Sequence, residues 1–156
     1  MKKEIEAITV KIETTLTGEP WFGRSVLSIL EEIDPAKTSI KPAGEGHSLT
    51  ELLYHMITWA EFTLKRIEKD PAYDLAASEE IDWRHIDPKV HSWKKGITEF
   101  KSIHKKIISL LLKKDDSFLE EKVDFRNYNF RFLLNGLVEH NIYHLGQIAY
   151  LSKFLT

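Results

Sequence analysis

Apolar residues recur every three to four positions through most of this chain, and strand-like alternation is nearly absent. Such a period lays an apolar stripe along one side of a helix, and the stripe must be buried against another element. Glycine and proline are scarce, 7 and 5 of 156 residues, and they fall between the stripes. The main breaks are Gly18 to Pro20, Pro35, Pro42 to Gly46, Pro71 and Pro88. The chain is thereby cut into long amphipathic segments.

The first segment runs from about Lys3 to Leu16, with Ile5, Ile8, Ile12 and Leu16 on one side. A second piece, Trp21 to Ile33, ends before Pro35, because proline cannot continue a helix interior. The two read as one bent arm or as consecutive helices. Ser48 to about Lys69 is the next helix, with Ser48 as N-cap and Glu51 placed for a capping box. Residues 71–87 read as a loop carrying Asp82 and Trp83. Pro88 is expected to open a third helix, whose stripe is Trp93, Ile97, Phe100, His104, Ile107, Ile108 and Leu111. A polar connector over Asp115 to Tyr128 leads to a last helix, Asn129 to Phe154. The pattern predicts an all-α four-helix bundle with a broken first arm, one domain over residues 1–156. The long 34–47 and 70–87 connections leave room for a crossover rather than plain up-and-down neighbours.

Composition excludes several functions. Lys and Arg number 22 against 24 Asp and Glu, so no basic excess is available for nucleic-acid phosphates. The chain has no cysteine, which removes disulfides, thiolate metal sites and a cysteine nucleophile. No segment approaches the roughly 18 apolar residues of a membrane span. The opening MKKEIEAITVKIE lacks an uninterrupted apolar core for export. A cytoplasmic protein acting on no nucleic acid and no membrane is expected.

Seven histidines remain to be explained. His140 and His144 are four residues apart, about 40° around a helix, and share a face with Leu133, Leu137, Ile148 and Leu151. Two imidazoles so spaced can bind one metal ion. The intervening Asn141-Ile142-Tyr143 lacks the glutamate of the H-E-x-x-H proteases, so that chemistry is rejected. The bland alternative is a pair of core-edge histidines with ordinary hydrogen bonds. A third ligand has to come from another helix. His55, on the flank of the second long helix, and His104, within the third helix's stripe, are both candidates on periodicity. His47 could cap a helix or line a cleft, and His85 and His91 read as solvated.

Two stretches carry a resemblance. His47-Ser48-Leu49-Thr50-Glu51-Leu52-Leu53-Tyr54-His55 and Gly136-Leu137-Val138-Glu139-His140-Asn141-Ile142-Tyr143-His144-Leu145-Gly146-Gln147-Ile148 resemble the second-helix and last-helix motifs of the DinB/YfiT-like superfamily of metal-dependent proteins. The helix order and the Asp82-Trp83 loop match as well. The resemblance implies a four-helix bundle, often a homodimer, with a divalent metal ion held by His55, His140 and His144 and with His104 outside the site. Thr50 departs from the pattern, since many relatives carry tryptophan there; this bears on the lining rather than the ligands. The family includes thiol-dependent transferases and an isomerase that uses a low-molecular-weight thiol, so it implies a site more firmly than a reaction.

Three neutral imidazoles would leave a divalent ion an open position, as in a catalytic site. That position could activate water, giving a hydrolase, or hold a small thiol cosubstrate, giving a thiol S-transferase. All-histidine ligation suits zinc, nickel, copper or iron, and the resemblance favours zinc or nickel. Affinity is expected to fall below about pH 6.5, where imidazole protonates. The competing expectation is a non-catalytic dimeric module with a structural metal, using exposed aromatics such as Trp21 and Phe22. Gln147 reads equally as a ring-orienting group and as a surface amide. Asn141 is expected to bond across helices, and Trp59 to form core or pocket wall. Glu51 reads as a cap and Glu139 as solvated. Asp82, Trp83 and Arg84 read as connector, or as a loop over a pocket.

Overall fold

A computed structural model describes residues 1–155. The helices are α1 (Lys3–Thr17), α2 (Val26–Glu32), α3 (Leu49–Glu68), α4 (Leu75–Ile81), α5 (Trp93–Leu111) and α6 (Phe130–Ser152). Short 3-10 turns lie at Pro35–Lys37, Pro42–Gly44 and Asp116–Glu120. There is no β-strand among the described residues, only one isolated antiparallel bridge between Lys122 and Asn129.

The helix starts follow from side-chain caps. Ser48 Oγ accepts from the Glu51 N–H at 3.2 Å, and the Glu51 carboxylate accepts from the Ser48 N–H at 2.7 Å, a complete capping box. Asn129 Oδ1 accepts from the Phe132 N–H at 3.1 Å to open α6. α1 has no local cap. Asp116 supplies one from across the bundle, its Oδ1 accepting from the N–H groups of Glu4 and Ile5 at 3.0 and 2.9 Å.

α1 and α3 each pack on both α5 and α6, so they occupy opposite corners of the bundle. The contacts also give direction. Glu4 of α1 pairs with Arg131 of α6, so these helices start at the same end. Tyr54 of α3 donates to the Ser92 carbonyl at the start of α5, at 3.2 Å, so α3 and α5 also run parallel. Lys69, just past α3, pairs with Glu121, just before α6, so α3 and α6 are antiparallel. Parallel α3 and α5 require residues 69–92 to travel the length of the bundle, the crossover that the length of this connection permits.

Several boundaries differ from the sequence pattern. The second piece becomes helical only at Val26, because Pro20 to Gly23 form a turn and Gly23 takes a positive φ of 132°. Trp21 is fully exposed there. Residues 75–81, expected as loop, form α4, capped by Asp74, whose Oδ1 accepts from the Ala77 N–H at 3.0 Å. Two turns with one buried residue, Ser78, carry too little periodicity to be seen. Pro88 does not open α5. Asp87 closes its own turn, accepting from the Val90 and His91 N–H groups, and Ser92 caps a helix that starts at Trp93. α6 ends at Ser152 rather than Phe154.

The core lies between the four long helices. Leu53, Met56, Ile57, Phe62, Phe100, Ile107, Leu134 and Ile148 are fully buried. Gly96 sets the spacing of α3 and α5: a Cβ there would stand 2.9 Å from Leu53 and 3.0 Å from Tyr54. Thr50, the departing position of the second motif, is buried and bonds the Thr38 carbonyl through both its N–H and its hydroxyl, at 2.9 and 3.1 Å. No described helix is long and apolar enough to cross a membrane.

Candidate metal centre

His55 sits in the second turn of α3, and His140 and His144 in the middle of α6. Antiparallel packing brings them together. The Nε2 of His55 is 3.1 Å from the Nε2 of His144 and 3.1 Å from the Nε2 of His140. The three form a group whose ligand atoms all lie within 4.8 Å of one another. His55 and His144 are each 7% exposed, and His140 is half-buried.

The far side of each ring settles what the near side can do. His55 Nδ1 lies 2.5 Å from Asp82 Oδ1, and His144 Nδ1 lies 2.6 Å from Gln147 Oε1. A carboxylate and an amide oxygen only accept, so each Nδ1 carries the proton and donates it; this assigns both tautomers from their partners. In the neutral ring each Nε2 is then a bare lone pair. Two lone pairs facing each other at 3.1 Å are not a hydrogen bond. They repel unless a cation lies between them. His140, whose Nδ1 is buried without a partner, could place a proton on its own Nε2. One proton answers one of these contacts and leaves the other open.

The spacing fits an ion. With metal–nitrogen bonds of about 2.0–2.1 Å, nitrogens 3.1 Å apart subtend about 95–100° at the metal, between octahedral and tetrahedral values. Electrostatics agree. Burial lowers the pKa of all three histidines, and that of His140 falls to about 3 with the neighbouring imidazoles adding to the effect. Asp82 and Gln147 oppose the shift at His55 and His144 without reversing it. The rings are therefore neutral at pH 7, as ligation requires.

The Asp82-Trp83-Arg84 segment, at the end of α4, is bound to α3 at each residue. Asp82 Oδ1 also accepts the Trp59 indole N–H at 3.0 Å. Trp83 stacks on His55 at a centroid distance of 4.0 Å and on His47 at 3.8 Å, so it is held between two imidazoles. Arg84 donates to the Thr58 hydroxyl at 2.7 Å and to the Ile81 carbonyl at 3.0 Å. This segment is thus more than a connector, and His47 faces Trp83 rather than capping α3. Sequence reasoning did not assign Asp82 as the partner of His55. Its acidic side chain 27 residues from His55 is a signal only when the crossover folds it back.

The remaining histidines are elsewhere. His104 is fully buried and apart from the trio; its Nδ1 donates to the Phe100 carbonyl at 2.8 Å, and its Nε2 accepts from the Asn141 amide at 2.9 Å. Asn141 therefore bonds across helices, and Gln147 orients a ring. Glu51 is a cap and Glu139 is exposed. His85 is exposed, whereas His91 is half-buried and accepts from the Asp87 N–H at 3.0 Å. A larger groove of about 730 Å³, along the outer side of α5 near Lys101 and Lys105, contains none of the three histidines.

The family model of the DinB superfamily matches residues 22–148, from α2 to the end of the histidine pair on α6. No curated protein matches the chain.

Proposed function

Since the chain belongs to the DinB superfamily, we propose that His55, His140 and His144 hold a divalent metal ion, zinc or nickel, and that the centre is catalytic. The observation that carries this is the facing pair of Nε2 lone pairs on His55 and His144, 3.1 Å apart, with both Nδ1 protons committed to acceptors. Three protein nitrogens leave an ion at least one further position, which separates a catalytic site from a closed structural one. When bound, the ion supplies Lewis acidity, lowering the pKa of a water or a small thiol at that position. The chain has no cysteine, so a sulfur nucleophile would come from a low-molecular-weight cosubstrate. The reaction class is hydrolysis or thiol S-transfer on a small molecule.

The protein's own groups have defined parts in this reading. Asp82 and Gln147 fix the ring orientation and tautomer of two ligands. Trp83 covers one face of His55 and keeps water from it. Homodimer formation belongs to the same reading. It is supported by exposed aromatics, among them Trp21, Phe132, Tyr143 and Tyr150, and light scattering on the purified protein tests it.

Elemental analysis of protein purified without chelator tests the metal. About one ion per chain is expected, falling to a trace in His144→Ala with helical content retained. Metal-free protein that neither takes up added zinc or nickel nor changes in thermal stability would overturn the proposal. Turnover of small esters, amides and thiol–electrophile pairs, with and without metal, then separates a catalytic ion from a structural one.

A further inference from the structure

α6 carries apolar residues on its outer face as well as its inner one. Phe132, Tyr143 and Tyr150 are each 66% exposed there, and two glycines, Gly136 and Gly146, stand between them. A helix with apolar residues on both sides is normally covered on both. Glycine inside a helix is destabilising, because it adds backbone entropy to the unfolded chain and no packing to the folded one. At Gly96 the close approach of α3 gives a reason for it, but a Cβ built at Gly136 or Gly146 meets no atom within 4 Å. Within one copy of the chain these two glycines have no packing role.

The positions form a register. Phe132, Gly136, Glu139, Tyr143, Gly146 and Tyr150 follow one another at steps of four, three, four, three and four, and at 100° per residue they fall within about 80° of the helix surface. Such a series is the seam of a helix pair. Its steps read the same in both directions from Asn141, so a second α6 laid antiparallel on the first matches the series to itself. Phe132 then meets the second copy's Tyr150, Gly136 its Gly146, and Glu139 its Tyr143. Rings face rings, the glycines let the backbones approach and leave hollows for neighbouring rings, and a carboxylate faces a phenol hydroxyl that can donate to it. The ends agree. Tyr128 packs on Phe132 at a centroid distance of 4.9 Å and Tyr150 on Phe154 at 5.0 Å, and these two ring pairs lie equally far in sequence from Asn141.

We propose that a second copy of the chain docks antiparallel on α6, across a two-fold axis level with Asn141. The face is self-complementary, as a two-fold contact requires, and this identifies its occupant. The contact also completes the site. Phe132 and Gly136 belong to the wall of an apolar cavity of about 160 Å³ that His140 lines, so the second copy's α6 covers the outer side of that cavity. The inference deepens the homodimer part of the reading above and rests on it for the presence of a second copy; metal binding is independent of it.

Cross-linking reads the register, since the chain has no cysteine of its own. In the antiparallel register Gly136→Cys and Gly146→Cys place thiols opposite each other, whereas each position lies about 15 Å along the helix from its own counterpart. A short thiol-to-thiol cross-linker should therefore join the double variant into a covalent dimer and leave each single variant unjoined. Tyr150→Glu sets a carboxylate against the second copy's Phe132 and should halve the mass in light scattering, with helical content and zinc uptake retained. Trp21→Glu, in the exposed turn before α2, should keep the dimer mass. The inference falls if a single variant cross-links to itself, if the double variant stays unjoined, or if Trp21→Glu rather than Tyr150→Glu gives the monomer. In each of those cases a dimeric mass leaves the homodimer reading standing. A monomeric unsubstituted protein overturns both, and loss of zinc uptake with the dimer mass intact counts against the metal alone.

Discussion

Asp82 holds the imidazole of His55 by a 2.5 Å hydrogen bond to Nδ1, and in doing so turns the Nε2 lone pair toward α6. The same oxygen takes the Trp59 indole proton at 3.0 Å, so one carboxylate joins α3 to the end of α4 at the centre. Asp82→Ala should therefore keep the bundle and weaken zinc binding by roughly 10–100-fold, the usual cost of losing a ligand's outer partner. Competition against a chromophoric chelator, alongside circular dichroism, measures both. Unchanged affinity would mean that Asp82 does not orient the ring.

Metal affinity should resist acid. Three unperturbed imidazoles of pKa 6.5 would together lose about thirtyfold in affinity between pH 7 and pH 6 by proton competition. Burial lowers all three pKa values here, His140 to about 3, so protons compete later. The loss over that interval should be well under thirtyfold, moving the onset below the pH 6.5 expected from the sequence. Zinc titrations at the two pH values decide it.

His104 should make the fold acid-sensitive. Full burial pushes its pKa down to about 4, against 6.5 for the unfolded chain. Between those values the unfolded state binds the extra proton, so stability is complete above pH 6.5 and is lost as pH falls toward 4. The expected loss from this residue is about 3 kcal/mol. His104→Gln should be less stable at pH 8, because the Asn141 contact changes, yet show a shallower fall in urea-unfolding free energy from pH 6.5 to 4. An identical slope in both proteins would contradict the assignment.

Asp116 should matter more than a surface acid. It is the cap of α1, accepting from the Glu4 and Ile5 N–H groups. Asp116→Ala leaves those donors to water and should cost about 1 kcal/mol in global stability, read from chemical denaturation. Ser117→Ala, next in sequence but without a bond to α1, is the control.

The four long helices were legible because each carries an apolar stripe long enough to show its period, and because Ser48 and Glu51 mark a start chemically. α4 was not, since seven residues with one buried side chain have almost no pattern. Pro88 misled because a proline suited to a helix start is equally suited to a turn, and Asp87 made the turn. The spacing of His140 and His144 was readable from one helix. The choice of His55 over His104 was not available from periodicity, because both lie on inward-facing surfaces; the family resemblance made it. Asp82 lies on a connection that reaches the bundle only through tertiary folding, and local sequence has no record of that.

The wide separation of the centre's parts along the chain has a consequence for synthesis. His55 emerges early, but His140 and His144 follow 85 and 89 residues later. A growing chain therefore offers a metal ion only a lone imidazole until α6 has been made and has docked. Metal capture would thus report the docking of α6, and a fragment stopped short of residue 140 would leave the ion to other takers.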